Sequence, residues 1–185
     1  MKMINIHKWA GLLSLLLVSV TGFAQQKISL DIAAIRSMRN TMNGINVSSF
    51  YYFNEHLTGG IEINRFFPVN RKTLDEEVNM SAWDFDMNLH YILPITKKWK
   101  LYPVSGISYT YENEEIREKE MNEIHTEHFF SFNTGAGMLW EAGNWVPHIE
   151  YLFTWGKMNQ QLLLAGISYE IHWGHKNTES KKTHD

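Results

Sequence analysis

Two segments near the C-terminal end carry side chains that could together perform nucleophilic catalysis. They alternate like strands and are joined by a short turn at 156–159. Pairing them as a hairpin places His148 roughly opposite Ser168, with Glu150 and Glu170 nearby on the same side. A serine within reach of a histidine and a carboxylate can be activated as a nucleophile. One hypothesis from these residues is a lipid-modifying hydrolase.

Histidines and carboxylates on alternate residues could also bind a metal ion, because alternate side chains of a strand point the same way. The candidate pairs are His90 with Asp86 and His148 with Glu150, and neither spacing is diagnostic of a metal. Histidines that share a proton with carboxylates explain these residues equally well. We therefore predict no catalytic residue, no metal ligand and no cofactor. The polar side that these groups share also holds Asp31, Glu62, Asp84, Glu170 and His172.

These side chains lie on segments in which apolar and polar residues alternate with the period of a β-strand. The clearest segment, 83–91, places Trp83, Phe85, Met87, Leu89 and Tyr91 on one face and Asp84, Asp86, Asn88 and His90 on the other. The eight predicted strands are 26–34, 45–53, 57–67, 83–91, 100–111, 128–140, 145–155 and 160–173. In 45–53 both faces are aromatic, so its register stays open. The segments 68–80 and 112–127 are predicted to be charged loops.

Eight strands can hide their edges by closing into an antiparallel up-and-down barrel, and the apolar face can then point inward or outward. An inward apolar face would make a soluble periplasmic ligand-binding barrel. Three patterns favour an outward face in a membrane. The lysines and arginines near strands lie at strand ends, whereas a water-facing surface normally mixes both charges. Connections alternate between short and long, as in outer-membrane barrels.

The third pattern is the position of aromatic residues on the apolar face, where they form two girdles separated by aliphatic side chains. One girdle comprises Trp83, Tyr109, Tyr111, Phe130 and Trp155, and the other comprises Phe53, Tyr91, Trp140, Trp145 and Trp173. The predicted fold is therefore all-β, an eight-stranded antiparallel transmembrane β-barrel.

Composition divides the chain into three parts. Residues 1–24 have a cationic start, an uncharged apolar run and small residues at the end, which predicts a signal peptide cleaved before Gln25. Residues 25–173 form the barrel domain, and 174–185 a polar tail. There is no cysteine, so disulfides do not support the fold, and a net charge of −3 gives no reason to expect nucleic acid.

With these features the chain resembles the small eight-stranded outer-membrane barrels of the OmpX/OmpA-transmembrane kind, and more closely the outer-membrane β-barrel domain proteins of Bacteroidota. The final ladder of Ile167, Tyr169, Ile171 and Trp173 is similar to the C-terminal signal that the barrel-insertion machinery reads. The resemblance implies a location in the Gram-negative outer membrane, with its lipids and the insertion machinery as partners.

The leading hypothesis for function is a non-enzymatic envelope scaffold whose exterior segments, above all 68–80 and 112–127, contact a surface ligand or protein. The segment 112–127 contains seven glutamates and could bind divalent cations or a surface partner. Its residues 116–125 could form a short helix, or they could extend the neighbouring strands above the membrane, where their edge would be available to another protein. A narrow pore for small solutes and the hydrolase are the alternatives. Leu162, Leu164 and Phe66 on the inner face argue against the pore.

Overall fold

In a computed structural model, the described residues are 27–72, 77–117, 122–157 and 159–173. They form nine β-strands, and they include no helix with the length and apolar character needed to cross a membrane. The strands are β1 (Lys27–Ser37), β2 (Asn43–Tyr52), β3 (Leu57–Lys72), β4 (Glu77–Tyr91), β5 (Leu93–Pro94), β6 (Trp99–Arg117), β7 (Asn122–Trp140), β8 (Trp145–Gly156) and β9 (Gln160–His172). The predicted signal peptide, 1–24, and the tail, 174–185, lie outside the described residues.

The eight long strands close into one antiparallel barrel. Neighbours in sequence pair with each other, β1 pairs with β9, and β4 pairs with β6. The short β5 pairs only with the beginning of β6. Closure gives every long strand two neighbours over the central part of its length, so no edge is exposed there. The prediction of an eight-stranded up-and-down barrel is confirmed.

The apolar face of the strands points outward and the polar face is enclosed. Met87 is 61% exposed and Phe132 is 67% exposed, whereas Asp84 and Asn133 on the opposite parity are 1% and 0% exposed. Rings cluster at both ends of the apolar belt, as in the Tyr109–Phe130, Trp99–Trp140 and Trp145–Tyr169 contacts. A soluble barrel with an apolar interior is therefore excluded.

The register that remained open in the second strand is set by pairing with β1 and β3. Phe50 is buried in the lumen, and Tyr52 also points inward, where its hydroxyl donates a hydrogen bond to Glu170. Tyr51 and Phe53 lie on the outer face and contact each other. Both faces are aromatic because inner rings fill the lumen while outer rings face lipid.

The prediction of a loop at 68–80 is wrong, because β3 continues to Lys72 and β4 begins at Glu77. Pro68 is accommodated at a register shift between Phe66 and Val69, and such bulges tolerate a residue without an N–H donor. In 112–127, β6 continues to Arg117 and β7 begins at Asn122. Over the described residues of this segment, extension of the strands is therefore confirmed, and a long loop or a short helix is wrong. Pairing between β4 and β6 supports both hairpins as far as Glu77 and Arg117.

Candidate functional site

The lumen is filled in layers, starting with an apolar plug near the long hairpins. Phe66, Met42, Leu152 and Leu162 are each at most 1% exposed and belong to one buried cluster. Below the plug, a belt of asparagine, serine, threonine and carboxylate side chains crosses the barrel. Within this belt Asn46 donates to both Glu62 and Asn64. Leu162 and Phe66 block the lumen as expected for a packed interior rather than an open channel.

Towards the short turns, aromatic rings and an ion pair close the lumen. The His90 ring lies between Phe50 and Tyr102, with centroid distances of 4.3 and 4.8 Å. At the end of the barrel, Lys27 Nζ lies 2.8 Å from Glu170 Oε1 and also over the Tyr52 ring. Both charged groups of this pair are buried, so each depends on the other to offset its loss of hydration.

The side chains of the hypothetical hydrolase meet in a different arrangement from the predicted one. The β8–β9 register pairs Ser168 with Val146 and His148 with Gly166, so Ser168 and His148 are offset by two residues. Both contact Asp31 on β1: Ser168 Oγ donates to Asp31 Oδ2 at 2.9 Å, and His148 Nδ1 lies 3.4 Å from the same oxygen. The serine hydroxyl thus donates its hydrogen bond to the aspartate. A triad instead needs the serine to donate to the histidine.

The two glutamates predicted near His148 have other partners. Glu150 Oε2 lies 3.9 Å from His90 Nε2, and Glu170 pairs with Lys27. The partner of His148 is Asp31, a residue that sequence spacing did not connect to it. It lies opposite Ser168 because β1 pairs with β9, which brings together residues 137 positions apart. The sequence predicted that Asp31 points inward, but it did not predict which residues Asp31 contacts.

The space beside Ser168 is small. Asp31, Glu62, His148 and Ser168 are among the residues around a lumen cavity of about 40 Å³, which is room for a few water molecules. An acyl chain would have to enter from the opposite, lipid-facing side of the wall. The cavity therefore fits a hydrated polar network better than a lipid substrate.

The residues of the two candidate metal pairs contact other side chains. Asp86 accepts a hydrogen bond from Asn64 at 2.8 Å, while His90 Nε2 lies 3.9 Å from Glu150 Oε2. Within the described part of the chain, no group of three or more histidine, aspartate or glutamate side chains is arranged to hold a metal ion. The expectation that His172 shares the interior is wrong, because its side chain is 57% exposed at the open end of β9.

From the aromatic girdle outward, β3, β4, β6 and β7 continue as a four-stranded extension, called here the outer sheet: residues 67–72, 77–82, 112–117 and 122–130. The β7–β8 pairing begins only at the Ser131–Gly156 pair. Over 122–130, β7 has β6 on one side and no paired strand in the described residues on the other. On this strand Ile124 is 67% exposed and Phe130 is 72% exposed.

The half of the outer sheet formed by β6 and β7 is acidic. Its described residues include Glu112, Glu114, Glu115, Glu123 and Glu127. Burial raises the pKa of Glu112, and the neighbouring carboxylates of Glu114 and Glu127 raise it further. Lys157 offsets part of this charge through an ion pair with Glu127 at 2.9 Å. Residues 112–117 and 122–130 thus carry five glutamates against one arginine.

No sequence-family model matches the chain, and no characterised protein matches it in sequence. In structure it is similar to Ail, the attachment invasion locus protein of Yersinia pestis, with a TM-score of 0.58, 13% identity and coverage of 80% of this chain and 99% of that chain. Ail has also been solved in complex with the heparin analogue sucrose octasulfate.

Two further solved structures are similar. OprG of Pseudomonas aeruginosa has a TM-score of 0.60 at 11% identity, covering 82% of this chain and 99% of that chain. A major outer membrane protein of Thermus thermophilus has a TM-score of 0.60 at 9% identity, with 78% and 99% covered. Membership of the Bacteroidota family stays a prediction. The chain has the fold of the small eight-stranded outer-membrane β-barrels of the OmpX/OmpA-like class, with its apolar belt in the position that faces lipid.

Proposed function

We propose that this chain is an integral outer-membrane protein that serves as a non-enzymatic envelope scaffold and binds a partner at the outer sheet. The long hairpins face the exterior in this proposal, because short turns face the periplasm in barrels of this fold. The observation that carries the proposal is the unpaired edge of β7 over 122–130. An unpaired edge presents a row of N–H and C=O groups that an extended segment of another protein can pair with.

The charge of the edge favours a cationic partner. Glu123 and Glu127 lie on β7, and Glu114 lies on the adjacent β6 on the same face. A strand that alternates lysine with apolar residues would pair its backbone with β7, approach these carboxylates and cover Ile124. Sulfated polyanions such as the one bound by Ail are disfavoured, because like charges repel at an interface.

The test uses the refolded mature protein in detergent and two fluorescent nine-residue peptides, one alternating Lys with Val and the other alternating Glu with Val. We expect the Lys peptide to bind at least about tenfold more tightly, a difference of about 1.4 kcal/mol. Ile124→Lys should abolish the preference by adding a positive charge to the edge. Ile95→Lys is the matched control, because Ile95 is 60% exposed in a short turn at the other end of the barrel.

Equal binding of the two peptides, or equal loss of binding in Ile124→Lys and Ile95→Lys, would refute recognition at the β7 edge. The non-enzymatic part of the proposal is supported by Asp31, which accepts the Ser168 hydrogen bond in place of a histidine. It is checked separately by mass spectrometry of lipid A from cells that express the protein and from cells that lack it. Altered acylation that depends on Ser168 would show the hydrolase instead.

A further inference from the structure

The polar belt contains carboxylate oxygens that lack a hydrogen-bond partner. Asp84 and Asp86 lie on the inner face of β4 and are 1% and 3% exposed. Asn64 Nδ2 donates to Asp86 Oδ2, but neither Asp84 Oδ1 nor Asp86 Oδ1 has a partner. A buried carboxylate oxygen without a partner is costly, so it often marks a position where a water molecule or an ion binds.

Two hydroxyl groups on the neighbouring strands also lack a hydrogen-bond partner. Thr110 on β6 lies directly opposite Asp84, and Ser131 on β7 lies opposite Ser108, which itself faces Asp86. Thr110 Oγ1 and Ser131 Oγ are buried and have no hydrogen-bond partner. Four of the six such side-chain atoms among the described residues therefore belong to one region of the lumen. All four are oxygen atoms.

No cationic side chain of the described lumen compensates this region. The buried Lys27 pairs with Glu170 at the far end of the barrel. His90 and His148 contact Glu150 and Asp31, which lie closer to the short turns. Glu62 adds a third carboxyl group across the β3–β4 pair from Asp86. The neighbouring amides of the belt donate to Glu62 and Asp86 but carry no net charge.

We propose that Asp84 and Asp86, with the Thr110 and Ser131 hydroxyl groups, form a binding site for a hard divalent cation of the Ca²⁺ or Mg²⁺ class. Such ions prefer carboxylate, hydroxyl and carbonyl oxygens, and Ca²⁺ accepts six to eight of them in flexible geometry. One divalent ion balances both aspartate charges. Two of the four oxygens come from hydroxyl groups. The proposed site therefore contains only two acidic side chains, and it is compatible with the absence of any cluster of three acidic or histidine ligands among the described residues.

The layers on both sides of the belt predict slow exchange of this ion. Phe66, Met42 and Leu162 close the lumen above it, and the Phe50, His90 and Tyr102 rings close it below. The ion would enter while the barrel folds and would be retained afterwards.

The experiment refolds the full mature chain in detergent in the presence of Ca²⁺, exchanges the buffer for one containing a chelator, and measures bound metal by atomic emission. We expect about one Ca²⁺ per barrel. Asp84→Asn and Asp86→Asn, alone and together, should reduce the bound Ca²⁺ to about one tenth or less. Each change replaces a charged ligand with a neutral side chain of nearly the same shape. Asp31→Asn is the matched control, since Asp31 is also buried but both of its oxygens have partners.

A shift between heated and unheated gel samples reports whether each variant is folded, and the single variants decide the question if the double variant fails to fold. The site is refuted if the wild-type barrel retains neither Ca²⁺ nor Mg²⁺ after refolding with either ion. It is also refuted if Asp31→Asn loses as much metal as Asp84→Asn. A third outcome is that the wild type binds no metal and that Asp84→Asn raises its stability. That result would show that protons, rather than a cation, neutralise the two aspartates.

Discussion

A charge placed at Met87 tests the orientation of the barrel wall in the membrane. Met87 lies on the outer face of β4, is 61% exposed and pairs with Ile61 and Ile107. It is four residues from Trp83 in one girdle and four from Tyr91 in the other. Four residues span about 14 Å along a strand, and a tilt of about 40° reduces this to roughly 10 Å along the membrane normal. Met87 therefore lies close to the middle of the apolar belt.

Met87→Arg should destabilise the barrel by about 2–4 kcal/mol, the cost of an arginine at the midplane of a bilayer. That range corresponds to a change of about 30- to 900-fold in the folding equilibrium constant. The assay is urea unfolding of the protein in phospholipid vesicles, followed by tryptophan fluorescence. Ile124→Arg is the control, because Ile124 is similarly exposed but lies in the outer sheet beyond the girdle. Equal and small effects of the two changes would refute the lipid-facing assignment of β4.

Three further outcomes follow from the lumen and the outer sheet. Lys27→Met should destabilise the barrel by about 3–5 kcal/mol in the same assay, because it leaves buried Glu170 without its cation. An effect below about 1 kcal/mol would show that solvent already screens the ion pair. Glu112→Gln should stabilise the protein at pH 7, because the raised pKa of Glu112 means that ionised Glu112 opposes folding. This gain in stability should disappear as the pH falls towards 4, where Glu112 is protonated in the unfolded state as well. A stability difference that does not change with pH would contradict this explanation. Gly137→Ala should destabilise folding by displacing Tyr102, whose ring occupies the space that the added methyl group would need; unchanged unfolding would show that the aromatic layer can shift.

The sequence determined which face of each strand is apolar, because side-chain parity is a local property of the chain. Residues such as Met87 and Asp84 could therefore be assigned to opposite sides of the wall before any pairing was known. The aromatic girdles followed for the same reason. In β2, where rings occupy both parities, the local signal failed, and only the neighbouring strands placed Phe50 inside and Tyr51 outside.

The ends of the long strands could not be read from composition. Polar and charged residues around 68–80 and 112–127 suggest loops, since no apolar face is required beyond the lipid. The strands continue there because each hairpin is supported by the β4–β6 pairing, a contact between hairpins that composition does not reveal. The unpaired edge of β7 is a consequence of this unequal strand length.

The contents of the lumen were decided by tertiary structure. Sequence parity predicted that Asp31, His148 and Ser168 point inward, but their contacts depend on closure between β1 and β9 and on the β8–β9 register. A shift of two residues in register preserves parity and changes every cross-strand neighbour. The inward side of a residue is therefore local information, whereas its partner inside the barrel depends on how the whole sheet closes.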